Sequence, residues 1–131
     1  MAASGRAPRQ LHSLEVRGRR HGRLISLPVV VADYEGERYL VSMLGEDVNW
    51  VANVRAAGGH AVLRHGRPEE VLLEEVDPQL RGPILRRYLQ LAPGARAHIA
   101  VDPSASLDEF EAVAPRYPVF LIRSDLADIS E

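Results

Sequence analysis

Six short runs rich in valine, isoleucine and leucine, separated by glycine- and proline-bearing turns, leave this chain few folds to choose from. Leu11–Arg17 is the first, and a turn region at Gly18–Gly22 separates it from Leu24–Tyr34. The turn signal Glu35-Gly36-Glu37 and the apolar stretch Tyr39–Leu44 then predict a hairpin. His60–His65 and Val71–Val76, flanking Gly66-Arg67-Pro68, predict a second hairpin, and Val119–Arg123 predicts a closing strand.

Between the hairpins, Gly45-Glu46-Asp47 breaks the strand, and Val48–Ala57 has helical spacing that stops at Gly58-Gly59. Asp47 or Asn49 is expected to cap it. Asp77-Pro78 reads as an N-cap followed by proline at the first helical position, opening a helix to about Leu91. Residues 92–105 carry Pro and Gly with weak periodicity and are expected to be a long loop acting as a substrate-side lid. Ser106 and Glu109 fit a capping box, so a short helix to about Val113 follows, ended by Pro115 and Pro118. Two hairpins with a helix between them, then helices and one strand, predict an α+β chain. Its core is a mostly antiparallel β-barrel with short helices packed outside.

At 131 residues and 46% hydrophobic, one domain is expected. It is placed at residues 11–124, between a mobile tail at 1–10 and an acidic tail at 125–131. The first ten residues lack the apolar segment of a secretory signal, and Leu27–Ala32 falls far short of the ~20 residues needed to span a bilayer. A soluble, cytoplasmic protein without a membrane segment is expected.

Without cysteine, neither a disulfide, a zinc ribbon nor a thiolate nucleophile is available, so demanding chemistry requires a cofactor. Five scattered histidines predict no metal site, because His60 and His65 are five apart on a strand and point to opposite faces. The net charge of −2 argues against general nucleic-acid binding, although residues 6–23 hold six arginines against one acid. No aromatic residues interleave with those arginines, so no nucleic-acid partner is expected.

Two segments stand out, the first suited to a bound anion. Gly18-Arg19-Arg20-His21-Gly22 is an arginine turn bracketed by glycines, and such a turn brings backbone amides and guanidinium groups close to one anion. Trp50, Asn53, Val54 and Ala57 recur at helical spacing and share one face, with Trp50 as a core anchor. Asn53 on that stripe needs partners, and two readings stand open: it holds the Ser42–Glu46 loop, or it touches a cofactor. Arg55 points off the stripe, toward a phosphate tail or into solvent. Tyr88 and His98 are candidate proton donors, and no nucleophile–base pair is recognisable. That pattern is compatible with hydride transfer, in which the cofactor carries the chemistry.

Gly18-Arg19-Arg20-His21-Gly22 with Pro28, Asn49-Trp50-Val51-Ala52-Asn53-Val54-Arg55-Ala56, and Pro118-Val119-Phe120-Leu121 together resemble the deazaflavin-dependent nitroreductase family, over roughly Val16 to Arg123. Members show Gly-Arg-Lys-Ser/Thr-Gly, a downstream Arg and Pro-Leu, and an Asn-Pro-x-Trp-x-x-Asn-Leu-Lys-Ala helix. Here His21 replaces the hydroxyl residue, Ile25 stands where the downstream Arg is usual, and the helix lacks the proline. The resemblance implies a split β-barrel that holds the deazaflavin coenzyme F(420) and passes hydride to a flat, electron-poor small molecule, a quinone or nitro compound. Its implied cofactor contacts are Arg19, Arg20, His21, Gly22, Arg23 and Pro28, then Asn49, Trp50, Asn53 and Arg55, with Ser42, Met43, Leu44 and Gly45 at the ring. FMN or haem in the same barrel, a non-catalytic flavin or deazaflavin carrier, and a monomer or homodimer are the alternatives. Residues 92–105 do not match the family's tyrosine-bearing lid.

Overall fold

The structure, a computed structural model, describes residues 11–124; both expected tails lie outside the described residues. Seven strands form one antiparallel sheet: β1 (Leu11–Arg17), β2 (Leu24–Val30), β3 (Ala32–Tyr34), β4 (Glu37–Val41), β5 (His60–His65), β6 (Arg67–Glu75) and β7 (Val119–Ser124). Their order across the sheet is β2-β1-β5-β6-β7-β4-β3. The two outermost strands are therefore consecutive in the chain, joined by Val31 alone. A sheet whose opposite edges are one residue apart has to curl until they approach, and this closes the split barrel.

The run expected as one strand from Leu24 to Tyr34 is thus two strands with different partners. β2 pairs β1 from Leu11↔Val30 to Arg17↔Leu24, while β3 pairs β4 around the two-residue turn Glu35-Gly36. β4 ends at Val41, short of the expected Leu44, because Ser42 turns back: its backbone N–H donates to the Pro118 carbonyl and its Oγ to the Gly45 carbonyl. β6 starts four residues earlier than expected, with Pro68 inside it. Proline is tolerated there because β7 pairs β6 only from Val71 onward, so the N–H it lacks is not called for on that side.

Helix α1 (Asn49–Ala56) buries Val51, Asn53 and Val54, while Trp50 is half-buried on the flank with its ring 5.7 Å from that of Phe120. Val51, rather than Trp50, is the deep anchor. No side chain caps α1; Asn49 Oδ1 accepts from Arg19 Nη2 instead. After α1 the chain passes so close to β6 that a Cβ on Gly59 would lie 2.5 Å from the Leu73 carbonyl oxygen, and φ there is +89°. A side chain at Gly59 would break the Leu73 N–H bond to the Gly59 carbonyl, 2.8 Å.

The helix expected from Asp77 to Leu91 is divided. Pro78–Leu80 is a one-turn 3-10 helix that Asp77 does not cap, and α2 (Gly82–Leu91) begins afresh with Pro83 in its first turn. Continued from Pro78, the helix would hold Pro83 in its interior, where the ring clashes with the preceding turn. Helix α2 buries Ile84, Leu85, Tyr88 and Leu89 along one side. Helix α3 (Leu107–Val113) has the expected capping box, with Ser106 N–H donating to Glu109 Oε1 at 3.1 Å and Glu109 N–H to Ser106 Oγ at 3.3 Å.

Residues 92–105 are packed rather than loose. Pro93–Ala97 is a 3-10 helix, Ala92, Ala95 and Ile99 are buried, and the Tyr117 hydroxyl accepts from Ala100 N–H and donates to the His98 carbonyl. The core has two parts. One fills the barrel with Leu14, Val16, Leu40, Val51, Leu63, Val71 and Phe120, and the other lies beneath α2 and α3 around Leu85, Leu89, Phe110 and Val119. No helix among the described residues is long and apolar enough to cross a membrane.

Candidate functional site

The arginine turn is a closed loop. Gly18 N–H donates to the Arg23 carbonyl at 2.7 Å, Gly22 N–H to the Gly18 carbonyl at 3.0 Å, and the Arg17 guanidinium also reaches the Gly22 carbonyl. Gly22 has φ +71°, a conformation that costs other residues strain. Helix α1 holds the turn from below: Arg19 donates to Asn53 Oδ1 through both its backbone N–H, 3.1 Å, and Nη1, 2.8 Å. Asn53 is 2% exposed, and its buried amide oxygen takes its partners from this turn. The Ser42–Glu46 loop is held instead by Ser42 itself and by the ion pair of Glu46 with Arg55.

This clamp opens a cavity of about 330 Å³ lined by Gly18, Arg19, Arg20, His21, Arg23, Ile25, Asn49 and Asn53. With Arg19 committed to the two asparagines, Arg20 and Arg23 bring guanidinium groups that meet no carboxylate among the described residues. Ile25, two residues beyond Arg23, supplies an apolar wall.

A second cavity of about 260 Å³ continues along β2 and the first turn of α1. Leu27, Pro28, Val29 and Val30 form one side, Met43, Leu44 and Trp50 another, and Leu11, Val41 and Tyr88 complete it. Apart from Tyr88 its side chains are apolar or aromatic. Tyr88 is 4% exposed, and its hydroxyl makes no hydrogen bond among the described residues, although none of its atoms is both fully enclosed and unsatisfied. Tyr88 lines the cavity, and its hydroxyl is not sealed away without a partner. Burial raises its pKa above the ordinary tyrosine value, so it is a neutral donor at physiological pH.

Of the residues singled out from sequence, Arg19, Arg20, His21, Arg23, Asn49 and Asn53 converge on the cationic cavity, and Pro28, Met43, Leu44, Trp50 and Tyr88 on the apolar one. Gly22, Ser42 and Gly45 shape the backbone without lining either. Two others stand apart. Arg55 is held by Glu75, Nε–Oε1 3.0 Å and Nη2–Oε2 2.6 Å, and by Glu46 at 3.1 Å, which leaves no free guanidinium for a phosphate. His98 is exposed and lines neither cavity, and neither does any other residue of 92–105, so the lid expected there does not cover this site. Sequence reasoning missed Leu11, Leu27, Val29, Val30 and Val41, whose place depends on how β2 crosses the barrel mouth. Among the described residues no group of three or more His, Asp or Glu could hold a metal.

No protein-family model matches the sequence, and no curated protein matches it. Solved structures do resemble it. An F(420)-H2-dependent reductase (FDR-A) aligns with a TM-score of 0.59 at 15% identity, over 88% of this chain and 95% of its own. A FAD-binding protein from Mesorhizobium loti aligns at 0.52 and 16%, over 88% and 79%. A haem-binding protein from Mycobacterium smegmatis aligns at 0.59 and 10%, over 88% and 46%. With its curled antiparallel sheet and short outer helices, the chain has the split β-barrel fold that it shares with these proteins.

Proposed function

We propose that this chain is a deazaflavin-dependent oxidoreductase that binds F(420) and reduces a flat, electron-poor acceptor, a quinone or nitro compound. One observation carries the reading: β2 and the first turn of α1 line both a cationic cavity, through Ile25 and Asn49, and an apolar one, through Leu27–Val30 and Trp50. The coenzyme has that same division, a planar ring joined to a tail of phosphate and carboxylate groups. Arg20, Arg23 and Asn49 suit the tail, because guanidinium groups without a carboxylate partner bind oxyanions by charge-assisted hydrogen bonds. Trp50, Met43, Leu44 and Pro28 suit the ring.

When bound, the reduced deazaflavin supplies the hydride. The chain's own work is to anchor the tail at Arg20, to exclude water with the apolar walls, and to offer the Tyr88 hydroxyl as a donor to an acceptor oxygen in the second cavity. That an F(420)-dependent reductase has the same fold supports the reading.

A non-catalytic carrier of a flavin or deazaflavin is the second reading. Ile25 favours it, since it puts an aliphatic wall in the cationic cavity where the resembling family has a further arginine. Leu24, exposed on edge strand β2, offers a second copy an apolar contact, and we take the chain to be a homodimer. Titration with F(420) and with FMN, followed by turnover assays on a panel of quinones and nitroarenes, tests the proposal. Tight F(420) binding with turnover supports the oxidoreductase, binding without turnover supports the carrier, and preference for FMN or failure to bind either refutes the cofactor assignment.

A further inference from the structure

Facing the β2 side of the apolar cavity, three separate segments contribute to its wall: the loop at residues 42–47 with Met43 and Leu44, helix α1 with Trp50, and helix α2 with Tyr88. Each also carries one charged residue of a single network. Glu46 lies in the loop two residues beyond Leu44, Arg55 lies in the last turn of α1, and Arg81 is the residue from which α2 starts. Both arginines meet at Glu75, the last residue of β6, and Glu46 joins through Arg55. Arg55 is bidentate to Glu75 at 3.0 and 2.6 Å and bridges on to Glu46 at 3.1 Å, and Arg81 Nη2 reaches Glu75 Oε2 at 3.3 Å.

Arg81 makes this more than a surface chain of ion pairs. It is 3% exposed, and its other nitrogens donate to the carbonyls of Val76, Ala114 and Tyr117, so Glu75 is its one carboxylate partner among the described residues. A buried guanidinium that loses its counter-charge moves or draws in water. Glu75 also pairs with Phe120 across the sheet, and the Phe120 ring packs on Trp50.

We propose that Glu75 is a positioning residue for the apolar cavity, joining Arg55 and Arg81 so that loop 42–47, α1 and α2 hold one spacing. It touches no ligand; it acts through the segments that carry Met43, Trp50 and Tyr88. The consequence for ring binding rests on the proposed function, but the consequence for the surroundings of Trp50 does not.

Trp50 is the sole tryptophan, so its fluorescence reports the cavity wall without any ligand. The test compares wild type with Glu75→Gln, which keeps size and hydrogen-bonding capacity but removes the charge, and with Glu46→Gln, which removes only the loop's tether. All are measured well below their melting transitions. The expected result is a red shift of Trp50 emission and a higher acrylamide quenching constant in Glu75→Gln, with a smaller change of the same sign in Glu46→Gln. Lumichrome, a flavin-like ring without a tail, is expected to bind Glu75→Gln about three- to thirtyfold more weakly, the range for residues acting through a packed network. Pyrophosphate affinity at the cationic cavity is expected to stay unchanged. Trp50 signals identical to wild type in both variants overturn the proposal, as does an equal loss of both affinities, the mark of general destabilisation. If wild type binds no lumichrome, the ring-binding reading fails, and the Trp50 signals still decide the role of Glu75. If Glu75→Gln does not fold, Glu75→Asp, which keeps the charge but shortens its reach to Arg55 and Arg81, takes its place with the same expected and overturning results.

Discussion

Arg19 and Asn53 meet through one atom: the Asn53 amide oxygen accepts both the backbone N–H and the guanidinium Nη1 of Arg19, thirty-four residues away. The turn between β1 and β2 is thereby fixed to a helix that is itself packed on the barrel core. Asn53→Ala is expected to cost about 0.5–1.5 kcal/mol, because it removes the buried acceptor that ties Arg19 to the helix. Thermal melting measures the loss, and a melting temperature equal to wild type would show that the turn holds its shape without the helix.

Arg20 lines the cationic cavity from that fixed turn, and among the described residues no carboxylate neutralises it. A charge-assisted contact contributes about 1.5–3 kcal/mol, so Arg20→Ala should weaken F(420) binding roughly ten- to a hundredfold. Stability should change by about 0.5 kcal/mol or less, as for other exposed positions. Arg19 cannot serve as the inert control because it holds the turn; Arg67, exposed beside Gly66 and outside both cavities, can. Isothermal titration decides, and equal losses in Arg20→Ala and Arg67→Ala would remove the anion site.

Tyr88 links the core beneath α2 to the apolar cavity. Tyr88→Phe keeps the ring and removes the hydroxyl, so turnover with a quinone should fall about ten- to a thousandfold if the group donates in the rate-limiting step, near the range for positioned proton donors. Because burial raises the Tyr88 pKa, the unfolded chain loses this proton first as pH rises. The associated stability is complete below about pH 10 and declines above it. Tyr39 is shifted in the same direction, so Tyr88→Phe should reduce the alkaline loss without abolishing it. Urea unfolding between about pH 9 and 11 measures this; the same loss in the variant would show that Tyr88 does not contribute.

The capping box of α3 makes a plain stability prediction. Ser106→Ala removes the acceptor for Glu109 N–H and is expected to cost about 1 kcal/mol, read as a lower urea midpoint with unchanged slope. An unchanged midpoint would mean that Phe110, fully buried, holds α3 without its cap.

Local chemistry was enough to read much of this protein from its sequence. The bounds of β1 and β5, the extent of α1 to within one residue at each end, and the Ser106–Glu109 box follow from runs of β-branched residues, glycine stops and side chains that bond their own backbone, all decided within a few residues. The Gly18–Gly22 turn and the asparagines of α1 were legible for the same reason, as short motifs with a chemical meaning. Tertiary structure alone decided what depends on distant partners. It divided Leu24–Tyr34 at Val31, because β1 claims one half and β4 the other, and this division brings the sheet edges together. It turned Arg55 from a candidate phosphate ligand into the partner of Glu75 and buried Arg81, because a carboxylate at the end of β6 lies beside both. A guanidinium's role is set by the nearest opposite charge in space, and pattern within a sequence window does not contain that distance.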